Sequence, residues 1–484
     1  MRLSGVRGGL SSQRDALRTQ LWPLPTIGVG LALVLGVVLP SLDALIADEL
    51  PVWVRTYLFG GGAAAARTVL DAIASSLVTV TSLTFSLTVV TLQLASSQFS
   101  PRLLRTFSSD RFVQVTLALF LATFTYALTV LRTVRTADGG QEMFVPRLAV
   151  TVAFVLALAS VLGLVLFLAH LARQIRVETM LRDVHAEASQ TLRRVLPERA
   201  AAGGTVLPTP PVAAVALPAA ASGFIVRVHE GALLAAAVEA DAVLFVDRHP
   251  GSSLVAGTPV GVGWPRATSS FDEDARSRLQ QRVARAVSTG FERTAAQDVG
   301  FGLRQLTDVA VKALSPGIND PTTAIHALGH SSAVLCELAG RDLGPLLLRD
   351  DQHQVRVVLC RPGLRDLLDL AVAQPRRYGA GDPSVLTRLL LLLREVAWCA
   401  EPDQRQAVAE QLTRMRATIA AQDFDVGERD RLAELAGQVE QALVGRWVPD
   451  GQWSADRGGS LLLGAHAPQR VQHGAEQEHR PGDQ

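Results

Sequence analysis

The stretch of this 484-residue chain that decides the fold is Asp71–Pro101, D-A-I-A-S-S-L-V-T-V-T-S-L-T-F-S-L-T-V-V-T-L-Q-L-A-S-S-Q-F-S-P. It carries no charged side chain between Asp71 and Arg102, a run of about 30 residues. A helix needs only about 20 residues to cross the hydrocarbon core of a bilayer. The sequence therefore predicts a transmembrane helix that is longer than the bilayer requires.

Two sets of polar side chains run along opposite sides of this predicted helix, at about 100° per residue. They are typical either of a helix interface, where small hydroxyl residues allow close packing, or of a water-lined path in an oligomer. Neither set contains a carboxylate or an arginine, which argues against a proton relay or coupling-ion site. The first set, called here the serine face, is Ser75, Thr79, Ser82, Ser86, Gln93 and Ser97; the second, the threonine face, is Thr81, Thr84, Thr88 and Thr91.

Composition and three further uncharged runs extend the membrane prediction. Hydrophobic residues make up 48% of the chain and charged residues 19%, with a positive mean hydropathy of +0.25, which indicates a membrane portion together with a sizeable soluble portion. Leu21–Leu42, Phe112–Leu131 and Leu148–Ala172 are each about 20 to 25 residues long and are long enough to span. We therefore expect a four-helix transmembrane domain over residues 21–172.

Arginine placement predicts the orientation of these spans. With the N-terminus inside, the inner flanks hold twelve arginines and the outer loops five, and basic residues favour the cytoplasmic side. The loop between the third and fourth spans holds three of those five and argues the other way. We expect a multi-pass protein of the cytoplasmic (inner) membrane, in contact with the lipid bilayer, with residues 1–20 and the C-terminus in the cytoplasm. The net charge of +1 argues against a nucleic-acid partner.

The chain after the fourth span has the pattern of a soluble region. An amphipathic helix and an Ala-, Gly- and Pro-containing linker precede short β-branched runs, a long helical region and a polar tail expected to be disordered. The predicted fold is membrane α-helical, with four transmembrane helices, plus a cytoplasmic α+β domain, mostly helical with a small β-module. The connecting helix is 173–198, the linker 199–222, the β-module 223–265, the helical domain 266–446 with one more strand at Val355–Cys360, and the tail 447–484. The candidate helices are 272–296, 298–314, 322–340, 363–373, 383–400, 403–421 and 427–445.

A dense motif, D-V-G-F-G-L-R-Q-L-T-D-V-A-V-K-A-L-S-P-G-I-N-D-P-T-T-A at residues 298–324, predicts a sharp corner between two helices. Pro316 and Gly317 break the first helix, and Asp320 with Pro321 is well placed to cap the second. The corner is either structural or a ligand site, because a helix N-terminus can hold an anion and carboxylate and amide oxygens can hold a cation. The residues of this ligand corner are Asp298, Arg304, Asn319, Asp320, Thr322 and Thr323.

The remaining chemistry-bearing residues predict no catalytic centre. His326 and His330 lie one helical turn apart and are either ordinary polar-face histidines or two ligands of one metal. Cys336, Cys360 and Cys399 are widely spaced and odd in number, which fits neither a disulfide framework nor a metal knuckle. None of the common catalytic or phosphate-binding motifs is present. We expect no catalytic residues, no metal site and no cofactor, and hence a protein that is not an enzyme.

Three stretches resemble the bacterial predicted-membrane-protein family known as domain of unknown function 2254. They are F-S-L-T-V-V-T-L-Q-L-A-S-S-Q-F-S-P-R-L-L-R-T-F at 85–107, the corner motif at 298–324, and R-R-Y-G-A-G-D-P-S-V at 376–385. The resemblance covers residues from about 20 to 445. It implies a multi-span inner-membrane protein with a cytoplasmic domain, and it implies no activity and no site residues.

Two functional hypotheses follow from these patterns. The first is a homo-oligomeric channel-like protein, in which the serine face lines the path, the basic connector Arg102–Arg111 sits at its cytoplasmic mouth and the cytoplasmic domain regulates it. The alternative is a membrane-anchored sensor or scaffold whose cytoplasmic domain binds a small ligand or a protein partner, with the spans only packing together. The difference between them is whether the serine face meets water or another helix.

Overall fold

The computed structural model of the chain describes residues 22–46, 58–98, 110–135, 144–174, 176–199, 207–267 and 270–449. The expected N-terminal segment 1–20, nearly all of the basic connector Arg102–Arg111 and nearly all of the expected tail 447–484 lie outside these residues. The chain forms two compact units, Met1–Arg182 and Asp183–Gln484. We call them the first and second units.

The first unit contains four helices that are long and apolar enough to cross a membrane. This confirms the four predicted spans. The second helix begins before Asp71, and its 36 residues correspond to about 54 Å at 1.5 Å per residue, compared with a hydrocarbon core of about 30 Å. The helices are α1 (Pro23–Ile46), α2 (Ala63–Gln98), α3 (Arg111–Leu131) and α4 (Arg147–Gln174).

Helix α3 is the packing centre of the first unit. Half of its membrane-length window is buried, compared with 17 to 22% in the other three helices, and it contacts α1, α2 and α4. Small residues allow the close approach of α1, since a Cβ added at Gly36 would lie 2.7 Å from the Cβ of Thr129. The core of this unit includes Leu70, Phe120, Tyr126 and Ala149.

Polar contacts at the helix ends confirm that successive spans run in opposite directions. The backbone N–H of Leu148, at the start of α4, donates to Asp43 Oδ2 near the end of α1 (2.9 Å). Arg67 near the start of α2 donates to the carbonyl of Val134, just beyond α3 (3.1 Å). At the opposite end, Asp110 caps α3 and lies 2.5 Å from the imidazole Nε2 of His170 in α4.

The second unit begins along α5 (Val177–Val195) and contains two sheets. Within the described residues, the larger sheet has the strand order β1-β5-β3-β8-β7 and the smaller β4-β2-β6. Only β3 and β8 pair in parallel. Helices α6 (Glu230–Glu239) and α7 (Glu273–Ala286) pack on this region through Leu233 and Leu279. The strands are β1 (Val215–Pro218), β2 (Gly223–Val228), β3 (Ala242–Val246), β4 (Ser253–Leu254), β5 (Pro259–Pro265), β6 (Val287–Gly290), β7 (Leu346–Arg349) and β8 (Val355–Leu359).

The sheet region differs from the predicted β-module at both borders and in its middle. Strand β1 lies in the predicted linker 199–222, and β7 with β8 joins the sheet from within the predicted helical domain. The helix predicted over 272–296 ends at Ala286, and β6 follows because it pairs with β2. Helix α6 was not predicted. These elements depend on partners distant in the chain, which override local propensity.

The remaining helices lie close to their predicted ranges, except that the helix predicted over 363–373 continues to Tyr378. Asp320, Asp382 and Asp425 accept hydrogen bonds from backbone N–H groups in the first turns of their helices, as N-caps do. In the helix at Pro383–Cys399, the side chains of Leu389, Leu390 and Leu393 are inaccessible to solvent. These helices are α8 (Phe301–Ala313), α9 (Pro321–Ala339), α10 (Leu364–Tyr378), α11 (Pro383–Cys399), α12 (Arg405–Ala420) and α13 (Val426–Leu443).

Candidate functional site

The serine face of α2 is exposed in the single chain. Ser82 and Ser86 lie at its centre, directly opposite the helices that α2 packs against. Ser97 is on the same helix, but its side chain lies outside the described residues. The exposed members of the face are Ser75, Thr79, Ser82, Ser86 and Gln93.

The threonine face of α2 is buried. Thr84, Thr88 and Thr91 are 0%, 8% and 7% exposed, and Thr81 is half-buried. At helical spacing they continue the apolar stripe of Leu70, Ile73 and Leu77, and α2 packs against α3 and α4. The threonines are therefore part of the interior of the first unit.

Hydroxyl groups on both faces donate to carbonyls of their own helix. The Oγ of Ser75 donates to the carbonyl of Asp71 (2.8 Å), and the Oγ1 of Thr88 donates to the carbonyl of Thr84 (2.8 Å). Such bonds satisfy the hydroxyl proton and leave the oxygen lone pairs able to accept. The serine face therefore presents acceptor oxygens to whatever lies beside it, together with the amide of Gln93.

Large apolar side chains border the serine face on both sides. Val78 and Phe85 are on one side and Leu83 is on the other, and all three are at least half exposed. Apolar side chains suit lipid or an apolar partner, whereas a row of hydroxyl and amide groups is satisfied by water or by another polar helix. The exposed surface of α2 is thus a narrow polar stripe between two apolar margins.

The structure does not bring the ligand-corner residues together as one site. Asp298 precedes α8, and Arg304 lies in the first turn of that helix, whereas Asn319 and Asp320 follow its far end. The 13 residues of α8 span about 20 Å. The two groups of predicted ligand residues therefore lie at opposite ends of α8.

At the far end of α8, the corner has the geometry of a helix cap. Asp320 Oδ1 accepts from the backbone N–H of Thr323 (3.0 Å), and Pro321 occupies the first turn of α9. Hydrogen bonds from the side chain and backbone of Thr323 lower the pKa of Asp320. Asn319 adopts a left-handed backbone conformation, with φ of 49°, and Thr322 is exposed on the first turn.

At the near end of α8, Asp298 is part of a buried ion pair. Its carboxylate lies 2.7 Å from the guanidinium of Arg293 and accepts from the backbone N–H of Gly300 (3.1 Å). Burial raises the pKa of Asp298, although Arg293 acts in the opposite direction. A Cβ at Gly251 would collide with this carboxylate, so the loop after β3 lies directly against the ion pair.

The two histidines of α9 have different surroundings. His326 is exposed, whereas His330 packs against His185 of α5 with ring centroids 5.3 Å apart. Burial, followed by the nearby His185 and His326, lowers the pKa of His330. In the part of the chain that the structure describes, no group of three or more histidine, cysteine or acidic residues is placed to hold a metal ion.

The fold also assembles a cluster that the sequence gives no sign of. Glu395 of α11 accepts from the hydroxyl of Ser332 in α9 and forms a two-pronged ion pair with Arg388 (3.0 and 2.7 Å). Cys336 and Cys399 lie beside it, and all five side chains line a cavity of about 400 Å³. Because α9 and α11 are separated in the chain by α10, no local spacing could reveal this group.

Comparison with known proteins supports the membrane assignment and leaves the activity open. Residues 18–395 match the family described as "Predicted membrane protein (DUF2254)". Uncharacterized proteins of Mycobacterium bovis and Mycobacterium tuberculosis are 40% identical to this chain over 439 residues, which is 89% of this chain and 81% of each relative. No solved structure matches it.

Proposed function

This chain belongs to the DUF2254 family of predicted membrane proteins, and we propose that it works as a homo-oligomeric channel-like protein. The observation that carries the proposal is the exposure of the serine face in the single chain, while the threonine face of the same helix is buried. The proposed path runs along the serine faces of several subunits. It requires no catalytic step.

The environment of the serine face supports a water-filled path. Lipid hydrocarbon offers no hydrogen-bond partner to hydroxyl oxygens or to the Gln93 amide, and unsatisfied polar groups are costly there. Water along an axis between subunits supplies those partners. The apolar margins at Val78, Phe85 and Leu83 then pack against neighbouring subunits or lipid.

The charge and the length of α2 also support a path along this helix. Apart from Val89, which is exposed in the gap between Ser86 and Gln93, the described part of the serine face holds only hydroxyl and amide groups. A passive path needs no charged site within the membrane. Helix α2, at about 54 Å, extends well beyond a bilayer core, so it can form both the path and a vestibule. The second unit is the proposed regulatory domain, since α5 follows α4 after a short break in the chain. We place the protein in the cytoplasmic membrane with both termini inside.

Ion flux through the purified protein in liposomes tests the proposal. Flux is measured for the wild type, for Ser82→Leu and for Ser86→Leu, with Val78→Leu and Val90→Leu as matched controls that add bulk at the margins of the same helix. We expect flux in the wild type and both controls and a block in the two serine variants. Equal flux in all five proteins, or no flux from folded wild type under voltage, tension or osmotic steps, would remove the path from α2.

The second candidate function is a membrane-anchored sensor or scaffold. The specific observation in its favour is the cavity of about 400 Å³ between α9 and α11, which combines two tryptophans with an ion pair and two thiols. Such mixed apolar and polar linings are typical of small-molecule sites. In this case the serine face packs against another helix, and the liposomes show no flux.

A further inference from the structure

Two cysteines that are far apart in the sequence meet in the second unit. Cys336 is on α9 and Cys399 is the last residue of α11, and both line the same cavity. All three cysteines of the chain are free thiols in this structure. We propose that Cys336 and Cys399 are a reversible dithiol–disulfide site that is oxidised by small peroxides.

The geometry of the two helices supports this pairing. Ser332 and Glu395 are joined by a hydrogen bond and are 63 residues apart in the chain. Cys336 and Cys399 have the same separation and follow that pair by one helical turn on both helices. A constant offset means that α9 and α11 run parallel along this contact. The cysteine pair is therefore the next rung of the same interface, and both side chains line one cavity.

The two sulfurs have different roles because their surroundings differ. Cys399 is exposed and Cys336 is half-buried. Interaction with Cys336 lowers the pKa of Cys399, whereas interaction with Cys399 and burial raise the pKa of Cys336. A thiolate is the nucleophile in thiol oxidation, and accessible, low-pKa cysteines with a second thiol nearby are typical redox sites. Cys399 is thus the attacking sulfur and Cys336 the resolving one.

Two effects oppose this assignment, because burial and the nearby carboxylate of Glu395 both raise the pKa of Cys399. Neighbouring groups limit the second of them. The carboxylate of Glu395 raises the pKa of both thiols. Its charge is engaged by both guanidinium arms of Arg388 and by the hydroxyl of Ser332. The cavity is wide enough for a small oxidant, and Trp398 and Trp447 form part of its wall, with ring centroids 5.6 Å apart.

The chemistry balances in two steps. The thiolate of Cys399 attacks one oxygen of the peroxide, the O–O bond breaks, and the leaving alkoxide or hydroxide takes up the proton that the Cys399 thiol released. The products are a sulfenic acid and an alcohol or water. The sulfur of Cys336 then attacks the sulfenic sulfur, an S–S bond forms, and the sulfenic oxygen leaves as water with the thiol proton. The two thiols lose two electrons, which the peroxide gains. Reduction by a dithiol reverses the outcome through thiol–disulfide exchange.

The test uses the full-length protein in detergent, reduced and then treated with hydrogen peroxide. Free thiols are alkylated in denaturant before and after treatment, and the intact mass is recorded. We expect the wild type to fall from three alkylated thiols to one, to lose the mass of two hydrogen atoms, and to recover on reduction. Cys360→Ser is the matched control and should lose the same pair, leaving no alkylated thiol.

The single variants at the proposed pair separate this site from general oxidation. Cys336→Ser should leave Cys399 with added oxygen in place of a disulfide, and Cys399→Ser should greatly slow the oxidation of Cys336. The proposal is overturned if the wild type gains oxygen without losing hydrogen, if the disulfide joins two chains on a non-reducing gel, or if Cys360 takes part. The decisive result comes from the wild type, so it stands even if a variant folds poorly.

Discussion

The two polar faces of α2 have nearly the same chemistry and opposite environments. Thr84, Thr88 and Thr91 are buried inside the first unit, whereas Ser82 and Ser86 are exposed on the other side of the helix. Hydroxyl groups on both faces donate to carbonyls one turn back. The difference therefore comes from packing: one face is already used within the chain, and the other is available to a partner or to water.

The largest effect is expected on folding, when an arginine on the threonine face is compared with an arginine on the serine face. Thr84→Arg puts a guanidinium into a fully buried position, where an unpaired charge costs about 3 kcal/mol or more. We expect this variant to lose folded protein in size-exclusion chromatography of detergent extracts. Ser82→Arg should remain folded, because its side chain faces water under the proposal. Equal loss of both variants would contradict the assignment of water to the serine face.

The next effect concerns access from water. The three native cysteines are first replaced by serine. Single cysteines are then introduced at Ser82, Ser86, Thr84 or Thr88, and each variant is treated in membranes with a charged thiol reagent. We expect the first two to react at least about 10-fold faster than the second two, a difference of about 1.4 kcal/mol in barrier. Comparable protection of all four positions would make the serine face a packing surface.

A smaller effect on stability is expected at the corner around Asp320 than at the two faces of α2. Asp320→Ala should lower the free energy of unfolding of the second unit by about 0.5–2 kcal/mol through loss of the cap, and Asp320→Asn should recover most of it. Because the folded pKa of Asp320 is lowered, its extra stabilisation is present above the unfolded pKa of about 3.9. It is lost as pH falls through the lower folded value.

Thermal unfolding as a function of pH measures this contribution. The wild type should lose the Asp320 contribution on acidification, and Asp320→Asn should lack that component. If both proteins lose stability equally between pH 5 and 2, the carboxylate does not act as a cap. If an added anion or divalent cation stabilises the wild type and not Asp320→Asn, the corner is a ligand site after all.

The smallest effect is expected from Thr84→Val. The hydroxyl oxygen of Thr84 is buried and makes no hydrogen bond to any described residue. Valine has nearly the same shape and removes the buried polar atom, so the change should be neutral or stabilising by up to about 1 kcal/mol. Denaturation in detergent measures it, with Ser86→Ala as the exposed control. A loss of more than about 1 kcal/mol would show that the hydroxyl has a partner.

Periodicity along the chain predicted what is local. Charge-free length located the four spans, and Asp320 was placed at a helix start because aspartate caps helices and Pro321 follows it. The same 3.6-residue period separated the two faces of α2. It could not show which face is buried, because that depends on α3 and α4.

Contacts between distant segments were beyond the sequence. Strand β8 joins β3, and β6 joins β2, although a helix was predicted through 296. The corner residues Asp298 and Asp320 are close in the chain, yet α8 holds them apart. Cys336 and Cys399 are far apart in the chain and meet because α9 and α11 run parallel. Proximity in sequence was thus a poor guide to which groups form a site.

The most direct test of the central claim is flux through liposomes that contain Ser86→Cys, with the three native cysteines replaced by serine. Flux is recorded before and after a bulky charged thiol reagent, so each preparation is its own control, and Thr88→Cys is treated in parallel. We expect the reagent to block flux in Ser86→Cys and to leave flux in Thr88→Cys unchanged. Complete modification of Ser86→Cys with unchanged flux would contradict a path along the serine face.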